Sequence, residues 1–322
     1  MKQLKFAVSM KKILLLSWLS LLASGALLAQ KKEAITPDNL VRLDTYEDTI
    51  ALLAYAVVND SLPEYRFGAC QKLITSLKEA LKTPNSFYYP FQRAKSISIQ
   101  YPPDSSFRVF TWQLYVDINE YRYYGAIQKR GSELQLYPLI DRSQQIEESN
   151  LEDLVLPPEQ WYGSVYYNMK ECKGPKGGKY YLLFGFDAYR FFHKRKLIDV
   201  LTFDDKGQPV FGAPVFVHKP EGKPQSFKKR VVLQYSADSS VKLNYDESYE
   251  MIIFDHLLTM MGQYGEGPTN LPDGSYDGYK FQKGAWVFVD KVFNDSQETA
   301  PVPHPVFDEK SKKKDIFGND KN

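Results

Sequence analysis

The chain has 322 residues, of which 43% are hydrophobic and 25% charged, with 41 Lys and Arg residues against 39 Asp and Glu residues. This composition is typical of a globular protein of one or two domains, and it excludes a chain that is disordered throughout. Aromatic residues make up 15% of the chain, which favours β-sheets, because large rigid side chains pair across neighbouring strands.

Residues 1–29 have the pattern of a secretory signal peptide. Four lysines are followed by the apolar run Ile13 to Leu22 and then by small residues, which is the order of regions that export signals share. We expect cleavage after Ala29, with Ala26 as the alternative. An uncleaved anchor is disfavoured, because the apolar run is shorter than the roughly 20 residues of a membrane-spanning helix.

Export would place the mature protein in the periplasm or outside the cell. Removal of the signal takes away the four lysines and no acidic residue, so the mature chain would be slightly acidic, which argues against a nucleic-acid partner. No later apolar run has the length of a transmembrane helix, so no transmembrane segment is expected in the mature chain.

Residues 36–84 predict an antiparallel α-helical hairpin. Thr36 is a suitable N-cap before Pro37, and Ser61 to Glu64 has the capping-box pattern that begins a second helix. Apolar residues recur at helical spacing at Leu43, Tyr46, Ile50, Leu53 and Val57, and then at Phe67, Cys70, Leu73, Ile74, Leu77 and Leu81. Two such stripes joined by a short link indicate helices that pack against each other.

Residues 96–293 predict an antiparallel β domain, because the hydrophobic period changes to two. In Tyr180 to Phe186 both alternating faces are apolar, which is typical of a central strand covered on both sides. In Phe110 to Val116 one face is apolar and the other is expected to be wetter. Asp204 to Gly207 predicts a hairpin turn.

The remaining segments are interpreted as connections. Residues 141–158 are polar and end in prolines, which predicts a link between two sheet segments. Lys194 to Lys196 is interpreted as a solvated basic run, and Met260 to Asp273 as a long surface loop, a place where function is often carried. Residues 294–322 predict a disordered tail.

These elements predict a mainly β protein, an antiparallel meander preceded by an N-terminal α-helical hairpin. The strand spacing suits an open barrel, a sandwich or a propeller-like arrangement, and it does not decide among them.

Three stretches stand in the order KLIDVLTFDDKGQPVFGAPVF, YDESYEMIIFDHL and PDGSYDGYKFQKGAWVFVDKV. With them the chain, from Phe107 to about Phe293, resembles an uncharacterised family of secreted β-rich proteins from Bacteroidota. The resemblance implies export and a shared β-rich body. It implies no reaction and no catalytic residues.

Cys70 and Cys172 both lie in the exported part, where an oxidising compartment allows a disulfide between them. The alternative is two free thiols, one on a buried helix face and one in a loop. Neither their number nor their spacing indicates a zinc site or a redox motif, and no metal or cofactor is predicted.

Four residues are weak ligand-binding candidates. His256 follows a strong strand and could present a base to a cleft, but its neighbour Asp255 must point to the opposite face, so the two form no relay. Asp273 and Asp277 could help to hold a calcium ion, although their spacing favours an ordinary turn. Trp161 could stack on a sugar ring, with core packing as the alternative.

These features leave the catalytic residues unknown. The expected function is that of an exported, non-catalytic β-protein with a ligand-binding or cell-envelope interaction role and an unknown biochemical activity; an envelope component or a glycan is the candidate partner. The alternative is a secreted hydrolase of unrecognised type that uses carboxylates or His256. An outer-membrane barrel is disfavoured, because the central strand is apolar on both faces.

Overall fold

The computed structural model describes residues 34–174, 177–218, 225–262, 265 and 267–293. The predicted signal peptide, the tail from residue 294 and parts of the turns near 175 and 220 lie outside these ranges. The helices are α1 (Pro37–Asn59) and α2 (Pro63–Leu81). The strands are β1 (Ser98–Gln100), β2 (Phe107–Asp117), β3 (Glu120–Lys129), β4 (Leu136–Ile140), β5 (Val165–Lys173), β6 (Lys179–Asp187), β7 (His193–Phe203), β8 (Pro209–Phe211), β9 (Phe216–His218), β10 (Ser226–Lys228), β11 (Val231–Ser236), β12 (Leu243–Asp246), β13 (Met251–Met261), β14 (Pro268–Gln282) and β15 (Ala285–Val289).

The helical hairpin is confirmed, with one change in how its second helix begins. The Thr36 hydroxyl accepts a hydrogen bond from the Asn39 N–H at 3.4 Å, as an N-cap does. The capping box at Ser61 is not formed, because Leu62 occupies the N-cap position. Arg66 holds this corner instead, since its Nη1 donates to the carbonyl oxygens of Asp60 and Ser61 at 2.9 Å each. None of the described helices is long and apolar enough to cross a membrane.

The strands form three sheets. The first sheet has the order β1-β2-β3-β4, the middle sheet β11-β7-β6-β5 with β8 beside β7, and the third sheet β10-β9-β15-β14-β13-β12. Among the described residues all neighbouring strands are antiparallel except β9 and β15, which run parallel. The expected mainly β protein with a preceding helical hairpin is therefore confirmed.

Three buried clusters lie between successive layers of the fold. The first cluster packs the helices on one face of the first sheet, through residues such as Leu73 and Phe110. The second joins the opposite face of the first sheet to the middle sheet, through Val109 and Leu183. The third joins the middle sheet to the third sheet, for example through Phe184. The order of layers is thus helices, first sheet, middle sheet, third sheet.

Strand β6 lies in the centre of this stack, as its two apolar faces predicted. Tyr181 and Leu183 belong to the second cluster, whereas Leu182 and Phe184 belong to the third. Strand β2 differs from the prediction: its expected wetter face carries Val109, which is fully buried because the middle sheet covers that side.

The expected long surface loop at Met260 to Asp273 is wrong for the parts that belong to β13 and β14, whereas residues 263, 264 and 266 lie outside the described residues. Most of it continues strands β13 and β14, with Leu257 opposite Pro272 and Met261 opposite Pro268. Glycines and prolines predicted a loop, but backbone pairing with β13 determines the structure here.

Candidate functional site

A cleft of about 380 Å³ lies where three connections meet. They are the turn between β2 and β3, the segment between β4 and β5, and the turn between β6 and β7, and each contributes charged or tyrosine side chains. We call it the Asp187 cleft. Its lining residues include Asp117, Glu120, Gln144, Glu148, Tyr162, Asp187, Tyr189, Arg190 and Arg195.

Asp187 ends strand β6, and its carboxylate is 3% exposed. Oδ1 accepts hydrogen bonds from the Tyr123 hydroxyl at 2.9 Å and the Tyr189 N–H at 2.8 Å. Oδ2 accepts the Tyr162 hydroxyl at 2.5 Å. Burial raises the pKa of Asp187, and the bonds from the two tyrosine hydroxyls offset part of that rise. The carboxyl group thereby fixes two tyrosines and the start of the turn.

Arg195 lies beside this carboxyl group on β7 and is 4% exposed. Its Nη1 donates to the Tyr162 hydroxyl at 3.1 Å, and its Nη2 donates to Gln234 Oε1 at 2.6 Å. The same Nη2 lies 2.8 Å from Glu148 Oε2. The guanidinium group is therefore held from both sides, which fixes its position in the cleft wall.

Tyr189 completes the wall in a left-handed conformation, with φ of 50°. The Arg195 guanidinium carbon lies 3.5 Å from the centre of its ring, and that of Arg190 lies 4.7 Å away. The Tyr189 hydroxyl donates to Glu148. Burial alone would raise the pKa of Glu148, but this bond and the charges of the two arginines outweigh burial, so its pKa is lowered.

Aromatic residues line the cleft, and Phe191 and Phe192 follow its lining residue Arg190 in the turn between β6 and β7. Tyr121 lines the cleft and is half-buried, with the ring of Tyr115 5.4 Å away. Phe191 is 50% exposed, and its N–H donates to Asn119 Oδ1 at 3.4 Å. Phe192 packs edge-on against Phe191, with ring centres 4.8 Å apart. Exposed rings of this kind provide apolar contact surface next to the polar interior.

Trp161, a sequence candidate for sugar stacking, is fully buried. Its Nε1 donates to the Tyr166 hydroxyl at 2.7 Å, and Tyr166 in turn donates to Asp199 at 3.1 Å. Because a buried ring cannot stack on a ligand, the structure corrects this candidate to a core residue.

Of the two alternatives for Cys70 and Cys172, a disulfide or two free thiols, the structure has the second, since both are free and buried. Cys70 belongs to the cluster between the helices and the first sheet, whereas Cys172 belongs to the cluster between the middle and third sheets. Burial raises the pKa of both thiols, that of Cys172 to about 12. Separation into different layers is the physical reason that they do not pair.

His256 and Asp277 are brought together on neighbouring strands of the third sheet. His256 Nδ1 lies 2.8 Å from Asp277 Oδ2, and Asp290 adds a third side chain. Asp273 lies in the irregular part of β14 between Pro272 and Tyr276, where its Oδ1 accepts the Ser275 N–H at 2.9 Å. Asp255 accepts the Lys242 N–H instead, which agrees with the expectation that it forms no relay with its neighbour.

Sequence reasoning missed the residues of the Asp187 cleft. Arg195 falls within the basic run that was interpreted as solvated, and the structure corrects this: the side chain is buried. One available signal was the polar sequence Asp187 to Arg190 directly after a strand that is apolar on both faces. The residues that bond to this segment, Tyr123, Glu148 and Tyr162, are far away along the chain, so sequence spacing could not identify them.

The chain matches no protein-family model, no curated protein and no solved structure.

Proposed function

We propose that this protein is an exported binding protein whose Asp187 cleft takes a neutral, polyhydroxylated ligand, that is, a segment of an envelope glycan. The observation that carries the proposal is the cleft itself, a cavity of about 380 Å³ with fixed charged groups inside, and beside it the exposed ring of Phe191, whose N–H bonds to the lining residue Asn119. Export rests on the sequence of residues 1–29.

The charges of the cleft favour a neutral ligand. Asp117, Glu120, Glu148 and Asp187 supply carboxyl groups, whereas Arg190 and Arg195 supply the cationic groups. Because acidic groups outnumber basic ones, an anionic ligand would meet repulsion. A sugar hydroxyl can donate to a carboxylate and also accept from a guanidinium, so neighbouring hydroxyls of one ring match both kinds of group.

The aromatic rings and the internal bonds add to this fit. The rings of Tyr121 and Phe191 can cover the apolar face of a sugar, while Gln144 has no protein partner among the described residues and remains available to a ligand. Arg195 and Tyr189 are already fixed by bonds to Glu148. Binding would therefore order few side chains, which lowers its entropic cost.

The test is a glycan array followed by calorimetry, with Phe191→Ala compared with Phe227→Ala. These rings are 50% and 53% exposed, but Phe227 lies on β10 of the third sheet. We expect a bound envelope glycan whose affinity falls about tenfold, or 1.4 kcal/mol, in Phe191→Ala and is unchanged in Phe227→Ala. Equal affinities for the two variants, or no binding of any envelope glycan, would contradict the proposal.

A second candidate is a secreted hydrolase that uses cleft carboxylates. It is favoured by the position of two carboxyl groups, Asp187 and Glu148, in the same cleft, where burial raises the pKa of Asp187 and the pKa of Glu148 is lowered. Such opposed shifts are what an acid and an ionised carboxylate need in glycoside hydrolysis. His256 is not among the residues that line this cleft. Release of shorter saccharides by the unaltered protein, lost in Glu148→Gln, would replace binding by hydrolysis as the function.

A further inference from the structure

The third sheet has an irregularity where His256 lies. Asp255 of β13 pairs with Tyr276 of β14, but Leu257 pairs with Pro272. His256 is therefore opposite three residues of β14, of which Gly274 has φ of 89°. Such a bulge redirects the side chains beside it, and here it accompanies the pairing of the imidazole with β14 rather than with Asp255.

Three potential ligand atoms converge beside this bulge. One atom each of His256, Asp277 and Asp290 lies within 4.8 Å of the other two. Asp277 is 6% exposed, and its Oδ1 accepts the Lys291 N–H at 3.1 Å, which fixes the carboxylate. Asp290 is exposed and has no ion pair with the residues that the structure describes.

We propose that His256, Asp277 and Asp290 bind one divalent transition-metal ion of the zinc type. An imidazole with two carboxylates is a borderline donor set, suited to Zn²⁺, whereas Ca²⁺ and Mg²⁺ prefer sites made of oxygen atoms. Three protein ligands leave the fourth tetrahedral position to water. The two carboxylates would balance the charge of the ion.

The distance between His256 and Asp277 needs little adjustment, whereas Asp290, within 4.8 Å of both, has to move closer. Two ligands of a tetrahedral zinc ion, each about 2.0 to 2.1 Å from it, lie roughly 3.3 Å apart. His256 Nδ1 and Asp277 Oδ2 are 2.8 Å apart and share a hydrogen bond. The metal would replace that proton, and the two atoms would separate by about half an ångström. Asp290 is exposed, so its side chain can move to complete the site.

The site would connect three strands at one point. His256 belongs to β13, Asp277 to β14, and Asp290 follows β15, and these strands are adjacent in the sheet. A bound ion would thus stabilise the folded protein, because an unfolded chain does not hold these ligands together.

The test is calorimetric titration of the untagged protein with Zn²⁺, and with Ca²⁺ and Mg²⁺ for comparison. We expect one zinc ion per chain, a raised Tm, and weaker binding of the other two ions. Asp290→Asn should lower zinc affinity at least about tenfold, and His256→Gln should lower it further. Asp238→Asn, at another exposed turn, is the matched control and should bind zinc unchanged.

Asp290→Asn keeps the test informative, because an exposed side chain can be changed without loss of the fold. The absence of stoichiometric zinc binding would overturn the proposal. So would zinc binding that is the same in Asp290→Asn, His256→Gln and the unaltered protein, since the ion would then lie elsewhere. Tighter binding of Ca²⁺ than of Zn²⁺ would also overturn it.

Discussion

Arg108 lies on β2 with its side chain removed from solvent, and none of the described carboxylates pairs with it. Its Nη1 donates to the Tyr89 carbonyl oxygen at 2.6 Å, and its Nη2 to that of Ser86 at 2.9 Å. Its Nε donates to Gln128 Oε1 at 2.8 Å. Burial lowers the pKa of this guanidinium. Oxygen dipoles therefore take the place of a counter-ion, and they connect the segment after α2 to the first sheet.

Arg108→Ala is expected to lower the free energy of unfolding by about 3 to 5 kcal/mol, because it leaves several buried acceptors without a donor. Urea denaturation measures the loss. Arg122→Ala is the control: this side chain is 55% exposed and pairs with Glu120, so its removal should cost about 1 kcal/mol or less. Similar losses for the two variants would show that the buried bonds contribute little.

At the scale of single elements, two glycines illustrate opposite requirements. Gly278 lies on β14, where an added Cβ would come within 2.6 Å of the Ile252 carbonyl oxygen. Gly68 lies inside α2, where an added Cβ would meet nothing within 4 Å. Close packing of the strand requires that residue 278 has no side chain. The helix has no such requirement at residue 68.

Gly278→Ala should therefore destabilise the protein by about 1 to 3 kcal/mol through overpacking. Gly68→Ala should stabilise it by about 0.5 to 1 kcal/mol, because alanine has the higher helix propensity. Chemical denaturation of both variants measures the two changes. Effects of the same sign would contradict the local packing described at these two positions.

The elements also show what the sequence could predict. The alternation in β6 placed that strand in a covered sheet, and Thr36 marked the start of α1, because both signals are local. The bulge at His256 and the continuation of β14 through Pro268 depend on the opposite strand, so composition misled there. The Asp187 cleft was missed because its contacts join residues that are distant along the chain. Tyr123 contacts Asp187, and Arg195 contacts Tyr162, only in the folded protein.

At the scale of the whole molecule, the middle sheet is covered on both faces by the second and third clusters. The helices and the third sheet each have an outer side that faces solvent: Leu52 on α1 is 74% exposed and Phe281 on β14 is 41% exposed. Interior strands of the middle layer therefore depend on contacts from two directions, and opening them requires the loss of more packing than opening the outer layers.

Amide hydrogen exchange should accordingly be slowest in β6 and β7. Mass spectrometry of peptides that cover these strands, compared with peptides from α1 and β12, measures the order of protection. We expect α1 and β12 to exchange first, because they lie in outer layers. Slower exchange in α1 than in β6 would contradict the layered order of stability.

The parallel pair of β9 and β15 has a consequence for the order in which the chain can fold. Phe216 lies opposite Trp286, and Trp286 is the residue whose Nε1 donates to the Tyr180 hydroxyl at 3.0 Å. During synthesis β10 follows β9 closely, but the other edge of β9 stays unpaired until β15 has left the ribosome. A nascent chain that stops short of Trp286 keeps an open apolar strand edge, which other chains can join.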